Sequence, residues 1–347
     1  MATKIAIRER CKDDDYGVIR KEISVLRSPP FETPTKCIKN LENPLPTTAQ
    51  INEVTKRVSL RTVESFRSGY EQPKDLRLRC ITNKLNLTIF DLMFDSAPSH
   101  EITKSLSSYW YASSENTLFV PTVRAKMLKE DKTWSELRIL QCVAFLRDLI
   151  NVTEMKNYKP FIGTIPLLPF RFAKPFVDLY LEKDFNAYAI DVGNRDLLNH
   201  IGDLRSILYE INERIPLNEV FVYACNLGIP QFEEHVSRAD DFLSLFAYID
   251  AFGNTFKSKG GGDIDKRPKP PPPRAKKFLK EDLEYILLPN DPSKYGSFNQ
   301  REQVKETDVV RSLVGVEKMQ KYLDTKKGVD LNAIKHLGTI IEKIRIK

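Results

Sequence analysis

The chain has 347 residues, 41% hydrophobic and 29% charged, the balance of an ordinary globular protein with a large core. No uninterrupted apolar run approaches the roughly 18 residues of a membrane span, which excludes a helical membrane protein. Five scattered cysteines, none at CxxC spacing, exclude a disulfide framework and a cysteine zinc site, and the net charge of +7 points weakly to an anionic partner.

The opening stretch MATKIAIRERCKDDDYG is charged throughout and has no signal-peptide apolar region, so a cytoplasmic protein is expected. RKEISVLRSP reads as a strand ended by Pro29-Pro30. From Asn52 to Gly69, apolar residues at Val54, Val58, Leu60, Val63 and Phe66 lie close to helical spacing, which predicts a surface helix stopped by Gly69. Residues 76–94, LRLRCITNKLNLTIFDLMF, hold two β-like runs around Asn83-Lys84. The second ends at Asp95-Ser96, and Asp95 is either a functional strand-end carboxylate or a turn cap. Tyr109, Trp110 and Tyr111 form an aromatic cluster that serves base stacking or packing. Leu118–Val123 is a further strand. Thr133 with Glu136 makes a capping box for a helix that buries Leu137, Leu140, Val143, Ala144 and Leu146.

The stretch from Lys159 to Asn254 organises the chain. FIGTIPL, FNAYAID, EVFVYAC and AYIDAFG are short apolar runs ending in polar residues, with amphipathic segments between them. The strongest helical pattern runs Leu197, Ile201, Leu204, Leu208, Ile211, Ile215. Another helix is expected through Val236, Ala239, Phe242 and Phe246, which takes in His235. Runs apolar on both faces imply a parallel sheet buried between helices. The expected fold is therefore α/β: first a TIM (β/α)8-type barrel over residues 1–256, second an open doubly wound sheet. Residues 257–277 read as a basic Gly/Pro-rich linker, since Lys257 to Lys280 holds nine Lys or Arg against two acids. Residues 278–347 read as a helical, charged appendage whose best helix is Glu302–Leu323.

No GxGxxG, Walker A loop or GxSxG is present, so no cofactor is expected. Four histidines lack metal-ligand spacing, and no metal site is expected. What remains is a row of carboxylates and amides at strand ends: Asp95, Asp191, Asn194, Asn226, Asp250 and Asn254. Carboxylates gathered on one face of a barrel can act as nucleophile and general base.

Several of these segments, in order, resemble the tRNA-guanine transglycosylase family. FETPTKCIKN resembles that family's "ETPALMPVxNP", KDFNAYAIDVGNRD its "xFDGYAIGGLSVGE", and EVFVYACNLGIPQ its "RYLMGVGTPED". FIGTIPL stands where the family has "FGIVQGG", RADDFLSLFAYIDAFGN resembles "AVxxGVDMFDCVLPTR", and MFDSAPSHE is similar to "TDSGGFQ". The resemblance implies a TIM barrel that exchanges a guanine in nucleic acid, tRNA ahead of DNA, for a 7-deazaguanine-type base through an Asp nucleophile. It makes Asp95 the carboxylate that faces the base, with Ser96 beside it. It puts the Gln of "IVQGG" near Thr164 or Ile165, with Thr164 taken as the substrate contact, and Asp191 in place of a base-contacting Gly. Asp250 matches the first Asp of "DMFD", while Gly253 stands where the family has its nucleophile. Asp191 or Asp250 is then the expected nucleophile, with Asn194, Asn226 and Asn254 as substrate contacts. The family's zinc motif CxCxxC…H, through which it commonly dimerises, is missing, so a homodimer is left open. The rival expectations are a non-catalytic nucleic-acid-binding paralogue and an unrelated barrel enzyme for a small metabolite.

Overall fold

The computed structural model describes residues 4–13, 15–25, 28–39, 48–155, 158–228, 235–254, 275–289, 294–327, 329–331 and 334–335. The chain begins with an antiparallel meander of β1 (Ala6–Asp13), β2 (Val18–Ser24) and β3 (Phe31–Glu32). Next come β4 (Thr35–Lys36), β5 (Ile38–Lys39) and β6 (Ile51–Val58), then α1 (Leu60–Arg67), α2 (Lys74–Arg77) and β7 (Leu85–Leu92). After α3 (His100–Ser113) and β8 (Leu118–Phe119) the chain forms α4 (Ala125–Leu128) and a small hairpin of β9 (Lys129–Glu130) and β10 (Thr133–Trp134). The chain then alternates regularly: α5 (Glu136–Glu154), β11 (Phe161–Pro166), α6 (Phe170–Glu182), β12 (Ala187–Arg195), α7 (Ile201–Asn212) and β13 (Phe221–Leu227). Then come β14 (Val236–Arg238), α8 (Asp240–Leu243), β15 (Ala251–Phe252), β16 (Ala275–Leu279), β17 (Glu284–Leu288), α9 (Gly296–Leu313) and α10 (Met319–Asp324).

The architecture is mixed α/β, built on a six-stranded parallel sheet in the order β4-β15-β13-β12-β11-β8. A second parallel sheet is ordered β5-β6-β7. β4 and β5 are successive pieces of one extended stretch, so residues 35–39 pair with β15 on one side and β6 on the other. At the far edge, Asp91 of β7 forms a parallel bridge with Thr122, just past β8.

Alternation along each strand sends side chains into two separate cores, as the pleat requires. Leu85, Leu87 and Ile89 of β7 join Ala187 and Ala189 of β12 and Phe221 and Tyr223 of β13 in one cluster. Phe90, Leu92, Tyr188, Ile190 and Val222 face the other way, against the helices. Ile23 and Phe31 of the meander belong to the first cluster and cover it from one end. Both faces of the sheet are thus apolar, which is why its strands read as continuous hydrophobic runs.

Several expected elements differ. The first half of the expected 52–69 helix is the strand β6: Val54 and Val58 satisfy either period, and parallel pairing on both edges decides for strand. The helix begins after Ser59, whose side chain accepts from the Thr62 amide, and Gly69 at φ +78° follows its end as expected. The first run of 76–94 is α2 and a turn, not a strand. α5 is capped by Ser135 rather than Thr133, which belongs to the hairpin. Its buried face is Ile139, Cys142, Val143 and Leu146, and it leaves Leu137, Leu140 and Ala144 exposed. Tyr109 and Trp110 lie fully buried in α3 and serve packing, against Phe90 and Phe161 respectively. The helix expected through 236–246 is the strand β14 followed by one turn of helix, and His235 sits in an exposed turn before it.

The linker expected at 257–277 falls almost wholly outside the described residues. The expected helical appendage begins instead as a β16–β17 hairpin that adds to β14. The long helix expected over 302–323 is α9 and α10, separated by a turn with Gly315 at φ +76°. α9 is tied to the body of the fold: Gln303 Nε2 donates to Asp241 Oδ2 (2.9 Å), and Arg311 Nη1 to the Glu32 carbonyl (3.2 Å). Among the described residues no helix is long and apolar enough to cross a membrane.

The meander is pinned by one buried ion pair. Lys21 of β2 reaches Asp250, just before β15, at 2.7 Å, and also donates to the Val220 carbonyl at 2.6 Å. Both side chains are almost fully buried, at 1% and 3% exposure. Burial lowers the Lys21 pKa and raises that of Asp250, and the contact between the two opposes both shifts. Removing one partner leaves the other charged and unsolvated, typically at a cost of about 3–5 kcal/mol. Lys21→Met is therefore expected to lower the unfolding free energy by about that amount in a urea titration, and the double variant Lys21→Met/Asp250→Leu to recover much of it. A Lys21→Met protein as stable as the parent would remove the pair from this role.

Candidate active site

A cavity of about 460 Å³ opens where the C-terminal ends of β6, β7, β11 and β12 meet the segment after β8. Its size lies within the range of small-molecule sites. Two of its lining residues are buried carboxylates, Asp91 and Asp191. Every other charged lining residue is a cation: Arg57, Arg124, Lys126, Lys129 and Arg195. Met93, Leu128, Leu168 and Trp134 supply apolar wall.

Asp191 is held from two sides. It stands in register with Pro166 of β11 and Cys225 of β13. Beyond it the pairing of β12 with β13 shifts, and Gly193 and Asn194 take φ values of +66° and +61°. This bulge turns the Gly193 amide back onto Asp191 Oδ1 at 3.1 Å, and Asn226 Nδ2 donates to the same oxygen at 2.8 Å. Asn226 is itself fully buried in the left-handed region, at φ +54°, a conformation Asn tolerates better than most residues. Asn194 and Asn226 therefore orient the loop and the carboxylate; neither lines the cavity. Arg195 does line it, anchored through Nε to the Val192 carbonyl at 3.0 Å.

Asp91 is the second carboxylate. In-register pairing sets it beside Arg57, whose Nε is 4.0 Å from its Oδ2, and the Thr122 hydroxyl donates to its Oδ1 at 3.2 Å. The sequence pattern pointed to Asp95 instead. Asp95 lies three residues past β7 and is exposed at the rim, with Lys126 at 2.7 Å and Arg124 at 3.6 Å. The Lys126 hydrogen bond lowers its pKa. With Ser96 it lines a neighbouring open groove of about 790 Å³ that shares Lys126 and Lys129 with the cavity.

The remaining expected residues lie elsewhere. Asp250, one of the two expected nucleophiles, is at the opposite end of the strands, in the Lys21 pair, and does not line the cavity. Thr164 is buried inside β11, its hydroxyl donating to the Val120 carbonyl. Asn254 belongs to a separate polar cluster. Its Nδ2 donates to Glu53 Oε2 at 2.6 Å, and its Oδ1 accepts from the buried Lys36 at 3.1 Å. Tyr223 donates to the other Glu53 oxygen. A side chain at Gly253 would fall on the Glu53 carboxylate and the Tyr223 hydroxyl, so this arrangement leaves no room there for an aspartate. Among the described residues, no group of three or more His, Cys, Asp or Glu could hold a metal ion.

Sequence reasoning missed Asp91, Arg57, Trp134 and Arg195. Asp91 did carry a signal, as the one ionisable residue in the otherwise uncharged strand LNLTIFDL. The chain matches no family model, no curated protein and no solved structure.

One further carboxyl abuts the loop that carries Arg195. Asp240 is fully buried, with Arg238 at 3.1 Å and the carboxylate of Asp196 within hydrogen-bond reach. Burial first, then Asp196, pushes its pKa up to about 8 against the pull of Arg238. The folded state thus holds a proton there that the unfolded chain releases near pH 4, so this group's contribution to stability falls as pH rises from about 4 to about 8. Asp240→Asn is expected to flatten that part of the stability profile, measured by urea titration across the range. Parallel profiles for the two proteins would count against a protonated Asp240.

Proposed function

We propose that the chain is a divergent base-exchanging enzyme of nucleic acid, built on a closed (β/α)8-type barrel. The barrel reading is supported by the pairing pattern: hydrogen-bonded parallel neighbours run from residues 35–39 through β6, β7, the Asp91–Thr122 bridge, β8, β11, β12, β13 and β15, and return to residues 35–39. In such a barrel the C-terminal ends of the strands carry the active site, and those ends border the cavity.

The observation that carries the functional reading is the pair of buried carboxylates, Asp91 and Asp191, on one cavity whose other charges are all cationic. Cations at the mouth suit a phosphate backbone, and acceptor-only carboxylates suit the N–H donors of a guanine edge. A flipped-out nucleotide brings C1′ into such a pocket. In this reading an Asp191 oxygen attacks C1′ as the C1′–N9 bond breaks, and the departing guanine N9 takes a proton from a water molecule relayed by the Asp91 carboxylate, leaving hydroxide. A 7-deazaguanine-type base then attacks C1′ through its N9, its N9 proton passing by way of Asp91 to the hydroxide and restoring water, while the C1′–Asp191 bond breaks and releases the carboxylate. Charge on the oxocarbenium-like sugar is stabilised by Asp191 itself. tRNA is the preferred substrate ahead of DNA. A cytoplasmic setting suits five free cysteines.

The test is release of radiolabelled guanine from tRNA and, separately, from duplex DNA. Wild type is expected to release label and Asp191→Asn to lose release. Asp91→Asn is expected to slow it by about 100- to 10,000-fold. The refolded fraction of Asp250→Asn should retain it, since Asp250 lies outside the cavity. Salt-sensitive binding without release would leave a non-catalytic nucleic-acid-binding protein, a role the same cations would serve. Neither binding nor release would overturn the reading.

A further inference from the structure

The cavity has one aromatic residue among those that line it, Trp134, which packs only partly against the core. Its position is built rather than incidental. The β9–β10 hairpin pairs Trp134 with Lys129 and Thr133 with Glu130. The two residues between, Asp131 and Lys132, both have positive φ, which is the tight hairpin-turn pattern. The Ser135 amide donates to the Leu128 carbonyl at 3.1 Å and closes the base of the hairpin against α5. Lys129 holds its ammonium 4.2 Å from the indole centroid, a cation–π contact that restrains the ring. The result is a planar apolar surface on a short, tied-down hairpin, in a cavity that also holds two carboxylates and a set of cations. The other aromatic cluster, Tyr109 and Trp110, is sealed in α3 and cannot reach a ligand.

We propose that Trp134 is the stacking face for the substrate base, with Lys129 beside it positioned for the attached phosphate. This rests on the reading of the cavity as a nucleotide site and adds the residue that would grip the base by its π-face. Stacking is tolerant of base identity, so Trp134 supplies affinity while the carboxylates choose the edge.

The chain has two tryptophans, which makes the test direct. Trp110 is fully buried, so a change of emission on binding belongs to Trp134, and Trp134→Phe keeps Trp110 as an internal reference. Bulk tRNA is titrated at low salt while tryptophan emission and, independently, the anisotropy of end-labelled tRNA are followed. The expected result is quenching in wild type, no quenching but retained affinity in Trp134→Phe, and affinity about 5- to 150-fold weaker in Trp134→Ala. Trp134→Leu, apolar but not planar, is expected to follow Ala and covers the case of a poorly folded Ala variant. If tRNA binds wild type without quenching, or binds the Ala and Leu variants as tightly as wild type, the stacking role is overturned and the nucleotide reading stands. If neither tRNA nor single-stranded DNA binds at all, both are overturned.

Discussion

Parallel pairing in one register is the constraint on which the site depends. Arg57 faces Asp91, Asp91 bridges to Thr122, and Asp191 stands between Pro166 and Cys225. Residues far apart in the chain therefore arrive at the same height at the C-terminal ends of their strands. Because side chains alternate between two faces, a slip of one residue in any of these strands would turn its polar group toward the helices. The apolar cores on both faces hold the register, since each strand has a full set of buried residues to lose.

The buried polar groups that are not in the cavity have structural work. Lys21 and Asp250 join the meander to the N-terminal ends of β13 and β15. Glu53, Tyr223, Lys36 and Asn254 form a compact set of hydrogen bonds that fills the space beside Gly253. Burial lowers the Lys36 pKa, and its bonds to the Gly253 carbonyl and to Asn254 satisfy the ammonium. The two carboxylates that line the cavity, Asp91 and Asp191, stand apart from these groups.

The electrostatics of the mouth divide into two regimes. Asp95 sits in solvent among Lys126 and Arg124, where an ion pair is worth little beyond arranging the cations. Asp191 is enclosed, and its acceptors are met by fixed donors from the bulge and from Asn226. A carboxylate held by fixed donors in this way keeps one orientation.

Much of the scaffold is legible in the chain itself. β11, β12 and β13 follow from apolar runs and the helix α7 from a 3.6-residue period, because burial on both faces of a parallel sheet writes itself into composition. The position of Asp191 was legible too, as an acid at the end of such a run that the structure places on the cavity. The exchange of helix for strand at Ile51–Val58, the placing of Asp91 on the cavity and Asp95 at its rim, the position of Asp250 at the far end and the arrival of Trp134 at the cavity were not. Each turns on which strands are neighbours and in what register, or on a two-residue turn that redirects the chain before α5. Local sequence determines which segments bury and with what period; only the folded arrangement decides which polar residues share a cavity, because hydrogen bonds between distant strands leave no trace in the order of residues along either one.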